Sequence, residues 1–128
     1  MNIRIHDGLP FVAVAIEYHG RRVTFQQVLL DTGSAGCIFA ADKLLTIDLR
    51  YEPDDAVHRI RGVGGAEFVF TKKVDRLGLS ELQVDDFEIE VGAMDYGMEM
   101  DGIIGMDFLL KTGAVIDLPQ LDIHGPSS

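Results

Sequence analysis

The sequence predicts an all-β domain of short strands with one short helix near its C-terminal end. Three observations point there. Apolar residues recur at alternate positions along much of the chain, and glycines break that alternation at short intervals. A single segment, after Gly105, carries the signals that open and close a helix.

Taken in order, Pro10 to Tyr18 reads as a strand, His19-Gly20-Arg21 as a turn and Arg22 to Leu30 as the returning strand. The second ends in Val28-Leu29-Leu30, a continuous apolar run that implies burial on both faces. Gly36 to Ala40 is a short apolar strand and Ala41 to Leu45 one helical turn. Thr46 to Asp55, polar and holding Pro53, is a loop. Val57 to Arg61 and Ala66 to Lys72 pair as a hairpin around Gly62-Val63-Gly64-Gly65. A further hairpin joins Arg76-Leu77-Gly78-Leu79 to Leu82 through Val91, where Leu82, Val84, Phe87, Ile89 and Val91 carry the alternation. The helix begins after Gly105, with Asp107 in its first turn, where the helix dipole favours an anion. It runs through Phe108-Leu109-Leu110-Lys111 and is capped by Gly113. Ala114 to Leu118 and Leu121 to His124 form a closing hairpin turned at Pro119-Gln120, and Gly125-Pro126-Ser127-Ser128 is expected to fray.

With 128 residues the chain is read as one domain, 1–128, long enough for a hydrophobic core but too short for two lobes around a cleft. No apolar run approaches the roughly 18 residues of a membrane span, so no membrane partner is expected. The N-terminus lacks the basic-then-apolar layout of a signal peptide, and the single Cys37 allows no internal disulfide, which together point to the cytoplasm. A net charge of −10 disfavours nucleic acid, whose phosphates need Lys and Arg. The acidity either keeps the protein in solution or suits neutral or basic substrates.

An aspartate at the end of a buried apolar strand is costly, because its carboxylate loses water there. A fold accepts that cost where the group is hydrogen-bonded or useful. Asp31 follows Leu29-Leu30 and precedes Thr32, Gly33 and Ser34. Gly33 lets the backbone turn tightly, so that its N–H can approach the carboxylate. Thr32 and Ser34 bring hydroxyls that donate and accept. The same residues are also ordinary turn formers, and composition alone gives an Asp-Thr-Gly triplet in roughly one chain in forty of this size. A second segment is Asp101-Gly102-Ile103-Ile104-Gly105-Met106-Asp107-Phe108-Leu109-Leu110. Two β-branched residues between glycines, directly before a helix, make either a thin backbone crossing or an ordinary strand-to-helix turn.

Together the two segments resemble the retropepsin family of aspartic proteases. In that family Asp-Thr-Gly supplies the catalytic aspartate, the apolar-apolar-Gly segment threads beside it, and a short helix follows. Gly62 to Gly65 falls between the two, where the family carries its flap. The likeness spans Phe11 to Asp117. It implies a single-lobe acid-protease β-barrel that forms a two-fold homodimer, and an endopeptidase acting on a peptide or protein substrate without a cofactor. Asp31 of each chain would activate water, Thr32 would bond across the dimer axis, Gly33 would present its carbonyl to substrate and Ser34 would steady Asp31. Gly62, Val63, Gly64 and Gly65 would close over the substrate, while Val63, Ile103 and Ile104 either line apolar subsites or belong to the core.

Viral members commonly place an aspartate two residues after the motif glycine and an arginine after the second motif's last glycine. Those positions here are Ala35, kept as a substrate-binding candidate, and Met106. Both halves of that ion pair are missing together, as in the cellular and bacterial branch. The C-terminal hairpin is also longer than the viral single strand. The chemistry separately asks for two chains: peptide hydrolysis by carboxylates needs one as base and one as acid. This chain has one Asp-Thr-Gly, so a two-fold axis must supply the second.

Other features carry less. His6, His19, His58 and His124 lack metal-like spacing, so no metal is expected. Cys37 reads as packing. Gly62-Val63-Gly64-Gly65 lacks the spacing of a dinucleotide fingerprint and precedes a strand. Met94, Met98 and Met100 around Tyr96 form either a cleft wall or core. The competing function is a non-catalytic dimeric peptide-binding scaffold of the same fold. The intact Asp-Thr-Gly-Ser favours catalysis, since a scaffold has no evident reason to keep a costly dyad.

Overall fold

A computed structural model of the chain describes residues 1–62, 65–94 and 99–126. Val63 and Gly64 of the expected flap, Tyr96 and Met98 of the methionine-rich segment, and Ser127-Ser128 lie outside the described residues.

Turn chemistry sets the first three strands. β1 (Arg4–His6) and β2 (Leu9–Tyr18) join through Asp7 and Gly8; β2 and β3 (Arg21–Leu30) join through His19 and Gly20. In each turn both residues have positive φ, 51° and 78° in the first and 50° and 79° in the second, the conformation whose twist matches that of paired strands. The apolar alternation does not reveal β1, because all of its residues are exposed. Only the Asp7-Gly8 turn signal marks it.

β4 (Ile38–Ala40) leads into α1 (Ala41–Leu44) and a 3-10 turn at Leu45–Ile47. β5 (Val57–Gly62) and β6 (Gly65–Leu79) pair as a hairpin with register up to Gly62↔Gly65. β6 runs 15 residues unbroken, so the strand expected to end at Lys72 and the one expected to begin at Arg76 are a single element. Lys72 interrupts the apolar pattern, yet it is buried, its ammonium paired with Glu52 and, at 2.9 Å, with Asp55. Those partners are what allow a lysine inside. β7 (Leu82–Gly92), β8 (Gly102–Ile104), α2 (Met106–Thr112), β9 (Val115–Asp117) and β10 (Asp122–His124) complete the chain.

The main sheet has the order β1-β2-β3-β8-β4-β7-β6-β5, and β2 pairs again with β6 through Ala15↔Gly78, Ile16↔Leu77 and Glu17↔Arg76. That second pairing closes β2, β3, β8, β4, β7 and β6 into a six-stranded barrel. β9 and β10 form a separate hairpin that clasps the N-terminal segment. Ile3 N–H donates to the Leu121 carbonyl at 3.0 Å. The Asn2 amide donates to the Ile123 carbonyl (2.9 Å) and accepts from the Ile123 N–H (2.7 Å).

Phe25, Phe39 and Phe108 are fully buried in the barrel core, and Phe11 is buried beside His6 of β1. Phe25 and Phe39 lie 5.2 Å apart between ring centroids, and Phe108 meets Phe87 edge-on at 5.9 Å. α2 buries Phe108 and Leu109, exposes Leu110, and ends at Gly113 with φ 66°. Its packing anchors the helix directly behind the second motif. Among the described residues no helix is long and apolar enough to cross a membrane.

Candidate active site

Asp31 is delivered by the end of β3. The parallel pairing of β3 with β8 aligns Val28, Leu29 and Leu30 with Gly102, Ile103 and Ile104. It continues one step further, with Asp31 N–H donating to the Ile104 carbonyl at 3.0 Å. β8 also pairs antiparallel with β4. It therefore lies between the strand that brings Asp31 in and the strand that leads the chain away, and the loop of residues 31–37 arches across the β8–α2 junction.

Glycine is required at this crossing for space. A Cβ at Gly105 would stand 2.2 Å from the Gly36 carbonyl oxygen and 2.7 Å from that of Ser34. One at Gly102 would stand 2.5 Å from the Phe39 ring. Gly105 itself has φ −106°, open to any residue, so the requirement is packing and not backbone strain. Of the two readings of the second motif, the thin crossing is the one the fold adopts.

The Asp31 side chain is half-buried and its Oδ1 accepts the Gly33 N–H at 2.9 Å. Ser34 N–H closes a turn onto the Asp31 carbonyl at 3.2 Å. The Ser34 hydroxyl donates to the Gly36 carbonyl at 2.9 Å, so its side chain braces the loop that carries Asp31. Thr32, Gly33 and Ala35 are exposed along the loop's crest. Two further bonds pin the loop to α2: Met106 N–H to the Ser34 carbonyl (2.8 Å) and Asp107 N–H to the Ala35 carbonyl (3.2 Å).

Beneath the loop lies the buried thiol of Cys37, which donates to Asp107 Oδ1 at 3.2 Å and accepts the Gly105 N–H at 3.4 Å. Burial above all, and then the Asp107 charge, push this thiol far above its ordinary value of 9.0. It is a protonated donor and not a thiolate nucleophile. From sequence, Cys37 reads only as packing. Its partner lies 70 residues away, which no local pattern shows.

The candidate subsite residues divide. Ile104 is 0% exposed and belongs to the main core, so its side chain does not line a cleft; this corrects its place among the substrate-binding candidates. Ile103, on the opposite face of β8, is half-buried and packs with Met100 against Ile38, Ala40, Val69 and Met94. Gly62 and Gly65 form the last described pair of the β5–β6 hairpin. No cluster of His, Cys, Asp and Glu suited to a metal occurs among the described residues.

None of the curated proteins matches the chain. A family model described as aspartyl protease matches residues 13–108, a span that opens in β2 and takes in the Asp31 loop, the β5–β6 hairpin and the glycine crossing up to Phe108. With well over half its length matched, and with Asp31 held over a glycine crossing in a closed six-stranded barrel, the chain belongs to the aspartyl protease family and has that family's single-lobe, retropepsin-like fold.

Proposed function

We propose that the chain is an aspartic endopeptidase working as a homodimer, in which Asp31 and the partner's Asp31 form a water-activating dyad. The observation that supports it most is the braced Asp31: one carboxylate oxygen is held by Gly33 N–H, on a loop whose crest is exposed. Two carboxylates in contact share one proton, because they cannot both ionise cheaply. The ionised one takes a proton from a water as its oxygen attacks the peptide carbonyl carbon. The protonated one gives its proton to the carbonyl oxygen, and collapse of the resulting diol passes a proton to the leaving amine. One such loop per chain calls for an isologous dimer with its axis beside Asp31. There Thr32 would bond across the axis and the Gly33 carbonyl would receive the substrate backbone. The β5–β6 hairpin would close over an extended, largely apolar peptide.

The test is incubation with a peptide library at several pH values, beside an Asp31→Asn control and sedimentation over a dilution series. The wild type should cleave and sediment as a dimer. The Asp31→Asn variant should stay folded and dimeric without cleaving, since the substitution removes like-charge repulsion at the axis. Normal turnover by that variant, or by a strict monomer, refutes the reading.

A further inference from the structure

We propose that Asp107 is a positioning residue for the Asp31 loop and that it acts through the Cys37 thiol. The effect on turnover rests on the catalytic reading of Asp31; the effect on the loop does not.

Asp107 touches the loop twice. Its N–H holds the Ala35 carbonyl at 3.2 Å, and its Oδ1 accepts both the Cys37 thiol at 3.2 Å and the Phe108 N–H at 2.8 Å. Its other oxygen points toward Gly36, 3.9 Å from where a Cβ would stand. The loop has two feet. One is Asp31, tied to the Ile104 carbonyl; the other is Cys37, tied through its thiol to Asp107 and through its carbonyl to the Glu90 N–H at 2.9 Å. In this pair the Cys37 thiol is the donor and the Asp107 oxygen the acceptor, so the bond runs from the foot of the loop to the helix.

Packing does not do this work alone. A cavity of about 190 Å³ opens behind the loop, lined by Gly36, Cys37, His58, Glu90 and Asp107 among others, and leaves room for the loop to settle once the bond is cut. An acid in the first turn of a helix also stabilises the helix, and that role would affect melting temperature without affecting catalysis. Turnover and loop exchange separate the two.

The experiment compares Asp107→Ala, Asp107→Asn, Cys37→Ala and the double alanine variant. Steady-state kinetics on a cleaved library peptide are read beside amide hydrogen exchange over residues 34–37. Asp107→Ala should lower kcat roughly 10- to 100-fold at unchanged KM, the scale expected when reacting groups shift by about an ångström. Asp107→Asn keeps an acceptor at Oδ1 and should stay within about threefold of wild type. Cys37→Ala should match Asp107→Ala, and the double variant should lose no more than either alone, because both cut one bond. Exchange over 34–37 should quicken in both alanine variants and not in Asp107→Asn. Wild-type kcat in Asp107→Ala, additive losses, an Asp107→Asn variant as poor as Asp107→Ala, or unchanged exchange would each overturn the proposal. Should Asp107→Ala fail to fold, Cys37→Ala carries the same two readouts. Should the wild type cleave nothing, the catalytic reading of Asp31 falls and the exchange arm alone decides the role of Asp107.

Discussion

Gly105→Ala probes the crossing beneath Asp31 with a single methyl group. The residue's φ of −106° suits alanine, so the backbone conformation costs nothing by itself. The whole effect is steric. The new Cβ would stand 2.2 Å from the Gly36 oxygen, 2.7 Å from the Gly36 carbonyl carbon and 2.7 Å from the Ser34 oxygen. Ordinary non-bonded separation is about 3.5 Å, so the loop and the β8–α2 junction must part by roughly 1 Å. All three obstacles are main-chain atoms, so no rotamer change relieves them. Overpacking of this kind costs about 2–3 kcal/mol, a sizeable part of the roughly 5–15 kcal/mol that holds a domain folded. For a chain of this size the melting temperature should fall about 6–15 °C. The loop that moves carries Asp31, so kcat/KM should drop about 100-fold even in the fraction that is folded. Thermal unfolding by circular dichroism and cleavage of one defined peptide measure both. Gly78→Ala is the matched control, since its Cβ would meet nothing closer than 3.8 Å. If Gly105→Ala melts and cleaves like that control, the crossing is loose and the steric argument for the second motif fails.

Lys72→Ala should cost about 3 kcal/mol by urea unfolding, the low end for breaking a buried pair: it strands Asp55, 14% exposed, while Glu52 stays largely in water. Acid should act on the same place. Burial raises the Asp55 pKa, but the hydrogen bonds from Lys72 and the Glu52 N–H outweigh it and set it below the ordinary 3.8. A depressed carboxylate contributes stability that is whole above 3.8 and lost as the pH falls through its folded value. Lys72 is raised above the ordinary 10.5, with burial opposed by its bonds to Glu52 and Asp55, so its contribution is whole below 10.5. Stability against pH should therefore be flat between those limits at this site, and Asp55→Asn should flatten the acid limb. An acid limb unchanged in Asp55→Asn would show that the loop's ion pairs do not contribute there.

Local chemistry made part of this structure legible. The Asp31 motif, the glycine bracket at 102 and 105, the Gly113 cap and the closing hairpin all follow from residues a few positions apart. What stayed hidden depends on distant partners. Lys72 broke the alternation because its countercharges sit in a loop about twenty positions earlier, so one long strand read as two. Ile103 and Ile104 could not be divided into surface and core without knowing that β8 has neighbours on both edges. The Ser34 hydroxyl turned to Gly36, because loop geometry and not hydroxyl chemistry decides which acceptor is within reach. Cys37 and Asp107 carry no motif that joins them.

The parallel pairing of β3 with β8 has a consequence for how the protein is made. The β2–β3 and β6–β7 hairpins close short loops and can form early, whereas Leu30 must find Ile104 across most of the chain. Asp31 gains the Ile104 carbonyl only at that step. Ile104→Val should then leave the refolding rate near wild type and quicken unfolding, the signature of a contact made after the transition state. A chain still emerging or half-assembled would hold its aspartate on an unsupported tether. The order of assembly itself would keep the proposed catalytic group idle until the barrel that contains it is finished.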